Sequence, residues 1–121
     1  MCSIAGVISH RNIDIEKMVK VQEHRAPDDS SIYKDNNIKL GMGRLEIIDL
    51  ISPGLCLYRE ENMIMAYNGE VYNYIELKEE LVKLGEKFET NSDTEVVFKC
   101  FKVWGLKALD KFNGMFGIAL Y

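Results

Sequence analysis

Met1-Cys2-Ser3-Ile4-Ala5-Gly6 opens the chain, with a cysteine directly behind the initiator methionine. Cysteine is small enough for that methionine to be removed. Removal leaves one residue carrying both a thiol and a free α-amine. An α-amine has a reference pKa of roughly 8, low enough to accept a proton near neutrality. A residue with its own nucleophile and its own base needs no separate histidine. The plainer reading is a small apolar residue at the start of a buried strand, because Ser3 to Ser9 is an apolar run rich in β-branched residues.

The rest of the chain narrows the class. It has 121 residues, 47% of them hydrophobic, with a formal net charge of -4. That predicts one domain over residues 1–121 with a single core. Lys and Arg are scattered and outnumbered by acids, so neither nucleic acid nor an anionic membrane is an expected partner. No apolar run approaches the length of a membrane span, and the N-terminus does not read as a signal peptide. Cys2, Cys56 and Cys100 are odd in number and form no C-x-x-C pair. They make no metal spacing with His10 or His24, so reduced thiols and a cytoplasmic location are expected.

Strands and helices are mixed along the chain. Asp14 to Gln22 reads as a helix with Ile15, Met18, Val19 and Gln22 on one face. Residues 25–30 read as a loop, and Ser31 to Lys34 with Ile38 to Leu45 as a hairpin around Asp35-Asn36-Asn37. Ser52-Pro53-Gly54 marks a turn, and Met63 to Tyr67 a strand. Asn73 with Glu76, and Ser92 with Glu95, have capping-box spacing before two helices, which Gly85 and Gly105 would end. Leu106 to Phe112 adds a short helical piece, and Met115 to Tyr121 is a last apolar strand. A buried strand ending a chain implies either an interface or a shortened sheet.

Three further features carry chemistry. Arg44 ends an otherwise apolar strand and can hold a carboxylate by two parallel hydrogen bonds; the alternative is a snorkelling surface arginine. Asn68-Gly69-Glu70 offers a side-chain amide and a backbone N–H suited to an oxyanion; by itself Asn-Gly reads as a tight turn. Asp93 opens a helix and can bind an ammonium; the alternative is an acid that only favours the helix N-terminus. Residues 25–28 are either structural or substrate-shaping. A nucleophile with a built-in base, an oxyanion pair, a carboxylate holder and an ammonium holder together fit an amino acid with a side-chain carbonyl, such as glutamine.

Met1 to Gly6, His24-Arg25-Ala26-Pro27-Asp28, Arg44 to Asp49, Asn68 to Asn73, Ser92 to Val96 and Asn113 to Ala119 stand in the order and spacing of class II glutamine amidotransferases. The chain resembles these over nearly its whole length, nearest to the glutaminase domains of glutamine-hydrolysing asparagine synthetases. The resemblance implies an α+β fold of the N-terminal-nucleophile hydrolase type, a four-layer α/β/β/α sandwich that is incomplete at the C-terminus. It implies that Cys2 is the nucleophile, with its α-amine as base. Asn68 and Gly69 would form the oxyanion hole, and Arg44 would hold the α-carboxylate. Asp93 and Glu70 would hold the α-ammonium, with Leu45, Ile47 and Ile48 lining the pocket. No cofactor is implied for this domain, since ATP and Mg would belong to a synthetase domain that this chain lacks. The implied partners are glutamine and a synthetase subunit or domain, or a second copy covering the open sheet.

The chain departs from the family where Ser3, Ala26 and Ser31 replace the usual glycines, around Met42-Gly43, and at Leu55-Cys56 where a Gln-Pro pair is common. If the glycine positions need positive φ or a close backbone approach, the replacements cost stability or close the pocket. The expected activity is therefore glutamine hydrolysis that feeds ammonia to a synthetase. The alternative is a truncated, non-catalytic remnant or binding module of the same fold.

Overall fold

A computed structural model describes residues 2–45 and 56–121. They divide into two compact units, Met1–Asn68 with Gly117–Tyr121, and Gly69–Phe116. The element order is β1 (Ser3–Ile8), α1 (Ile15–Lys20), β2 (Asp29–Lys34), β3 (Ile38–Arg44), β4 (Leu57–Glu60), β5 (Met63–Val71), α2 (Tyr74–Lys83), α3 (Asp93–Trp104), a 3₁₀ segment (Gly105–Lys111) and β6 (Gly114–Leu120). One sheet has the order β1-β3-β2 and the other β4-β5-β6.

In the first unit β3 is the centre of an antiparallel sheet, with Ser3 opposite Gly43 and Asp29 opposite Arg44. Alternation divides β3 cleanly between two faces. Gly41 faces α1, where any Cβ would run into the Val19 side chain. Ala5, Ile15 and Val19 form that outer core. Asp14 starts α1 as its cap, its carboxylate accepting from the Lys17 N–H at 3.1 Å. On the inner face Ile38 and Leu40 pack with Ile64, while Met42 packs with Cys56 and Ala66; Leu57 and Ala119 join both groups. A helix on a sheet on a sheet is thus complete within this unit.

The expected hairpin forms, but β2 begins two residues early, at Asp29, because Asp29 and Ser30 find partners in Arg44 and Gly43. Its turn is built by Asp35, whose Oδ1 accepts from Asn37 N at 2.8 Å and Ile38 N at 2.9 Å. Those two N–H bonds hold the Asp35 carboxyl below its ordinary range. Strand β4 was not expected from sequence. It pairs Glu60 with Met63, leaving only Glu61-Asn62 as the loop, with Glu61 at φ 53. Glu-Asn lacks the glycine that usually marks such a turn.

In the second unit α2 and α3 pack on one another, with Leu77 and Leu81 of α2 and Val96, Val97 and Phe101 of α3 buried. Gly85 follows α2 at φ +99, and Gly105 follows α3 at φ +59, both as expected. Neither capping box forms as its spacing suggested. Asn73 makes no side-chain cap. Its amide donates to the Lys111 carbonyl at 2.9 Å and accepts from the Asn113 N–H at 2.9 Å, tying the strand-to-helix corner to the chain ahead of β6. Ser92 does cap, accepting from Thr94 N at 3.1 Å, but Glu95 turns away from it to bind the 89–90 segment.

Candidate active site

Cys2 lies just before β1. Continuing the Ser3–Gly43 register by one residue sets it opposite Arg44, on the inner face of the first sheet. It is half-buried and packs on the group formed by Met42, Cys56 and Ala66. Its Sγ is 3.9 Å from the Leu45 carbonyl oxygen, and its own carbonyl accepts from Arg25 Nε at 3.2 Å. The loop that composition left undecided is therefore anchored to the candidate nucleophile. Arg25 is a functional candidate that sequence reasoning left unassigned; its only signal is its place in His24 to Asp28.

Arg44 is only 7% exposed, which excludes the snorkelling alternative. Its carbonyl accepts from the Asp28 N–H at 3.0 Å. A guanidinium taken this far from water needs anionic or hydrogen-bonding company, and it is well suited to a planar carboxylate. Leu45 follows it, half-buried. Ile47 and Ile48 lie outside the described residues, as do Glu46, Asp49, Leu55 and the expected Ser52-Pro53-Gly54 turn.

The Asn68-Gly69 pair is not a turn. Strand β5 runs through it unbroken from Met63 to Val71. Gly69 has no positive φ; it is needed for close approach, since a Cβ would meet the Met115 carbonyl oxygen and stand 2.6 Å from Phe116 Cα. Asn68 belongs to the first unit, and Gly69, Glu70 and Asp93 to the second.

Asp93 is the first residue of α3 and only 8% exposed. Its Oδ2 accepts from the Val71 N–H at 3.3 Å, fastening the end of β5 to the helix start. It does more than favour the helix dipole. Glu70 stands beside it, and burial, then the Asp93 charge, push the Glu70 carboxyl above its ordinary value. Two acids held close repel, and an ammonium between them would relieve that repulsion. A group with a raised folded-state pKa stabilises below its unfolded value, and that stability is lost as pH rises through the folded value. Glu70→Gln is therefore expected to melt higher than the parent at pH 7, by less than about 1 kcal/mol because the group is largely solvated. The difference should vanish near pH 4, where both forms are neutral. Identical melting curves at both pH values would refute the repulsion.

Ser3, Ala26 and Ser31 all adopt ordinary negative φ. The conformational cost feared at these three positions is absent. Ser3 and Ala26 face Gly43 instead, which has no room for a side chain: a Cβ there would lie 2.7 Å from Ser3 Oγ and 2.9 Å from Ala26 Cβ. Beneath α1 a cavity of about 420 Å³, lined by Val19, Ala26, Pro27 and Ile32 among others, includes none of the expected site residues. No helix among the described residues is long and apolar enough to cross a membrane.

The sequence profile of the glutamine amidotransferase domain family matches residues 1–121. The chain is 36% identical over 130 residues to glutamine-hydrolyzing asparagine synthetase 1 of Bacillus subtilis, covering 100% of this chain and 21% of that protein. It is 35% identical over 130 residues to glutamine-hydrolyzing asparagine synthetase B of Escherichia coli, covering 100% of this chain and 23% of that protein. It thus spans about a fifth of the length of the curated relatives it matches. Among solved structures it is similar to glutamine phosphoribosylpyrophosphate amidotransferase from B. subtilis. That match has a TM-score of 0.56 and 23% identity, covering 69% of this chain and 21% of that one. This likeness, with the mixed two-sheet architecture, bears out the N-terminal-nucleophile hydrolase type of fold.

Proposed function

Because the chain belongs to the glutamine amidotransferase domain family, we propose that it hydrolyses glutamine to glutamate and ammonia through a thioester on Cys2. The observation that carries this reading is the neighbourhood of Cys2 and the buried Arg44 on adjacent strands of one sheet face. A nucleophile next to a carboxylate holder suits a substrate with an acid at one end and an amide at the other.

With Met1 removed, the Cys2 sulfur attacks the side-chain amide carbon while its proton passes to the α-amine, directly or through a water. The Asn68 amide and the Gly69 N–H hold the oxyanion that forms. The C–N bond breaks, the α-amine returns its proton to the leaving nitrogen, and ammonia departs. Water then attacks the thioester, and glutamate leaves with the thiol restored. Arg44 grips the α-carboxylate, while Asp93 and Glu70 hold the α-ammonium. Leu45, Ile47 and Ile48 line the pocket. The ammonia supplies an ATP-dependent asparagine synthetase elsewhere in a longer polypeptide or on a separate subunit in the cytoplasm. ATP and Mg serve that synthetase and not this domain.

The test is glutamate release from glutamine by protein with an untagged N-terminus and methionine removal checked by mass spectrometry. Turnover, with covalent labelling of Cys2 by an electrophilic glutamine analogue, supports the reading. Neither release nor labelling would leave a non-catalytic module of the same fold.

A further inference from the structure

We infer that Asp29, Ser31 and Cys56 form a brace that positions Arg44 for the α-carboxylate of glutamine, an inference that rests on the glutaminase reading. Asp29 is the residue directly across from Arg44 in the β2–β3 register. Such cross-strand partners share a face, with Cβ atoms about 5 Å apart. Both oxygens of the Asp29 carboxylate are engaged, which fixes its orientation. Oδ1 accepts from the Ser30 N–H at 2.8 Å, and Oδ2 lies 3.6 Å from Cys56 Sγ, which donates to it.

Cys56 is fully buried against Met42, the residue two before Arg44 on the same face of β3. Ser31, two residues along β2 from Asp29 and so on the same face, adds a polar neighbour to the same thiol, and the Arg44 charge reaches it. Burial first, then the Asp29 charge, push the thiol up to about 12. It therefore stays protonated and keeps donating to Asp29 at any working pH.

The register sets a carboxylate on the strand at one side of Arg44, with Cys2 just ahead of the strand at the other. A guanidinium has five N–H donors. Bracing by a neighbouring carboxylate orients that fork and leaves donors for a second carboxylate, which takes at most two. The brace touches no reacting atom, so Asp29, Ser31 and Cys56 act through Arg44 as positioning residues. Two of the three positions had looked unpromising in sequence, one as a missing glycine and one as a missing Gln-Pro pair.

Glutaminase kinetics of the full chain test the brace. Asp29→Asn is expected to raise KM for glutamine about five- to tenfold with kcat held within about twofold, the pattern of lost ground-state binding. Cys56→Val, which keeps bulk and loses the donor, should move KM the same way. Cys56→Ser, which keeps a donor, should bring it back. KM unmoved in Asp29→Asn, or a fall in Tm and active fraction at constant KM, overturns the inference and leaves the glutaminase reading intact. A parent chain that neither releases glutamate nor binds L-glutamate by calorimetry overturns both.

Discussion

Cys2→Ala protein is expected to release no glutamate from glutamine, a loss of more than about a thousandfold, because the nucleophile of a covalent mechanism has no substitute. The neighbouring contacts should survive the change, since Arg25 binds the Cys2 backbone carbonyl and the side chain is only half-buried. The variant should therefore melt close to the parent, which separates lost chemistry from lost fold. Protein that retains Met1, or carries an N-terminal tag, should be as inactive as Cys2→Ala although the thiol is present. The α-amine would then be tied up in a peptide bond and could not accept a proton. In the active form, turnover should fall on the acid side as the α-amine becomes protonated. Full activity with an extended N-terminus would rule out this mechanism.

The largest effect on stability is expected at Glu95. It is fully buried in the first turn of α3. Its Oε1 accepts from Glu89 N at 3.0 Å, and its Oε2 from Thr90 N and Thr90 Oγ1, each at 2.7 Å. Hydrogen bonds to a charged acceptor are the strong kind, and the helix N-terminus favours the negative charge. Glu95→Ala would leave two backbone N–H groups and a hydroxyl without their acceptor beside a void. The expected cost is about 3 kcal/mol, or roughly 10 °C in Tm. Glu95→Gln keeps one acceptor oxygen and should lose about half as much. A Tm for Glu95→Ala within about 3 °C of the parent would show that the 89–90 segment is held by something else.

These residues show where sequence reading succeeds and fails. Strand β1, helix α1 and the β2–β3 hairpin were legible because period and turn chemistry are local properties. Gly85 and Gly105 were legible because a positive φ at a helix end selects glycine. Glu95 and Asn73 were recognised as important residues and given the wrong partners. Spacing of three residues says that a cap can form; it does not say that a backbone segment elsewhere will compete for the same oxygen. Strand β4 was missed because its turn, Glu61-Asn62, carries no glycine. Asn68-Gly69 was ambiguous for the opposite reason. Its composition marks a turn, and only the close approach of Met115 and Phe116 shows why glycine is required in a continuous strand.

The sequence by itself determined the family and most of the strands and helices in their order, and it named the candidate site residues, because residue type and spacing along the chain are sufficient for these. Tertiary structure decided what each polar group faces. It buried Arg44 opposite Asp29, anchored Cys2 through Arg25, fastened Asp93 to Val71 and set a protonated Cys56 behind Asp29. Those facts depend on strand register and on desolvation, and both arise only when segments distant in the chain come together.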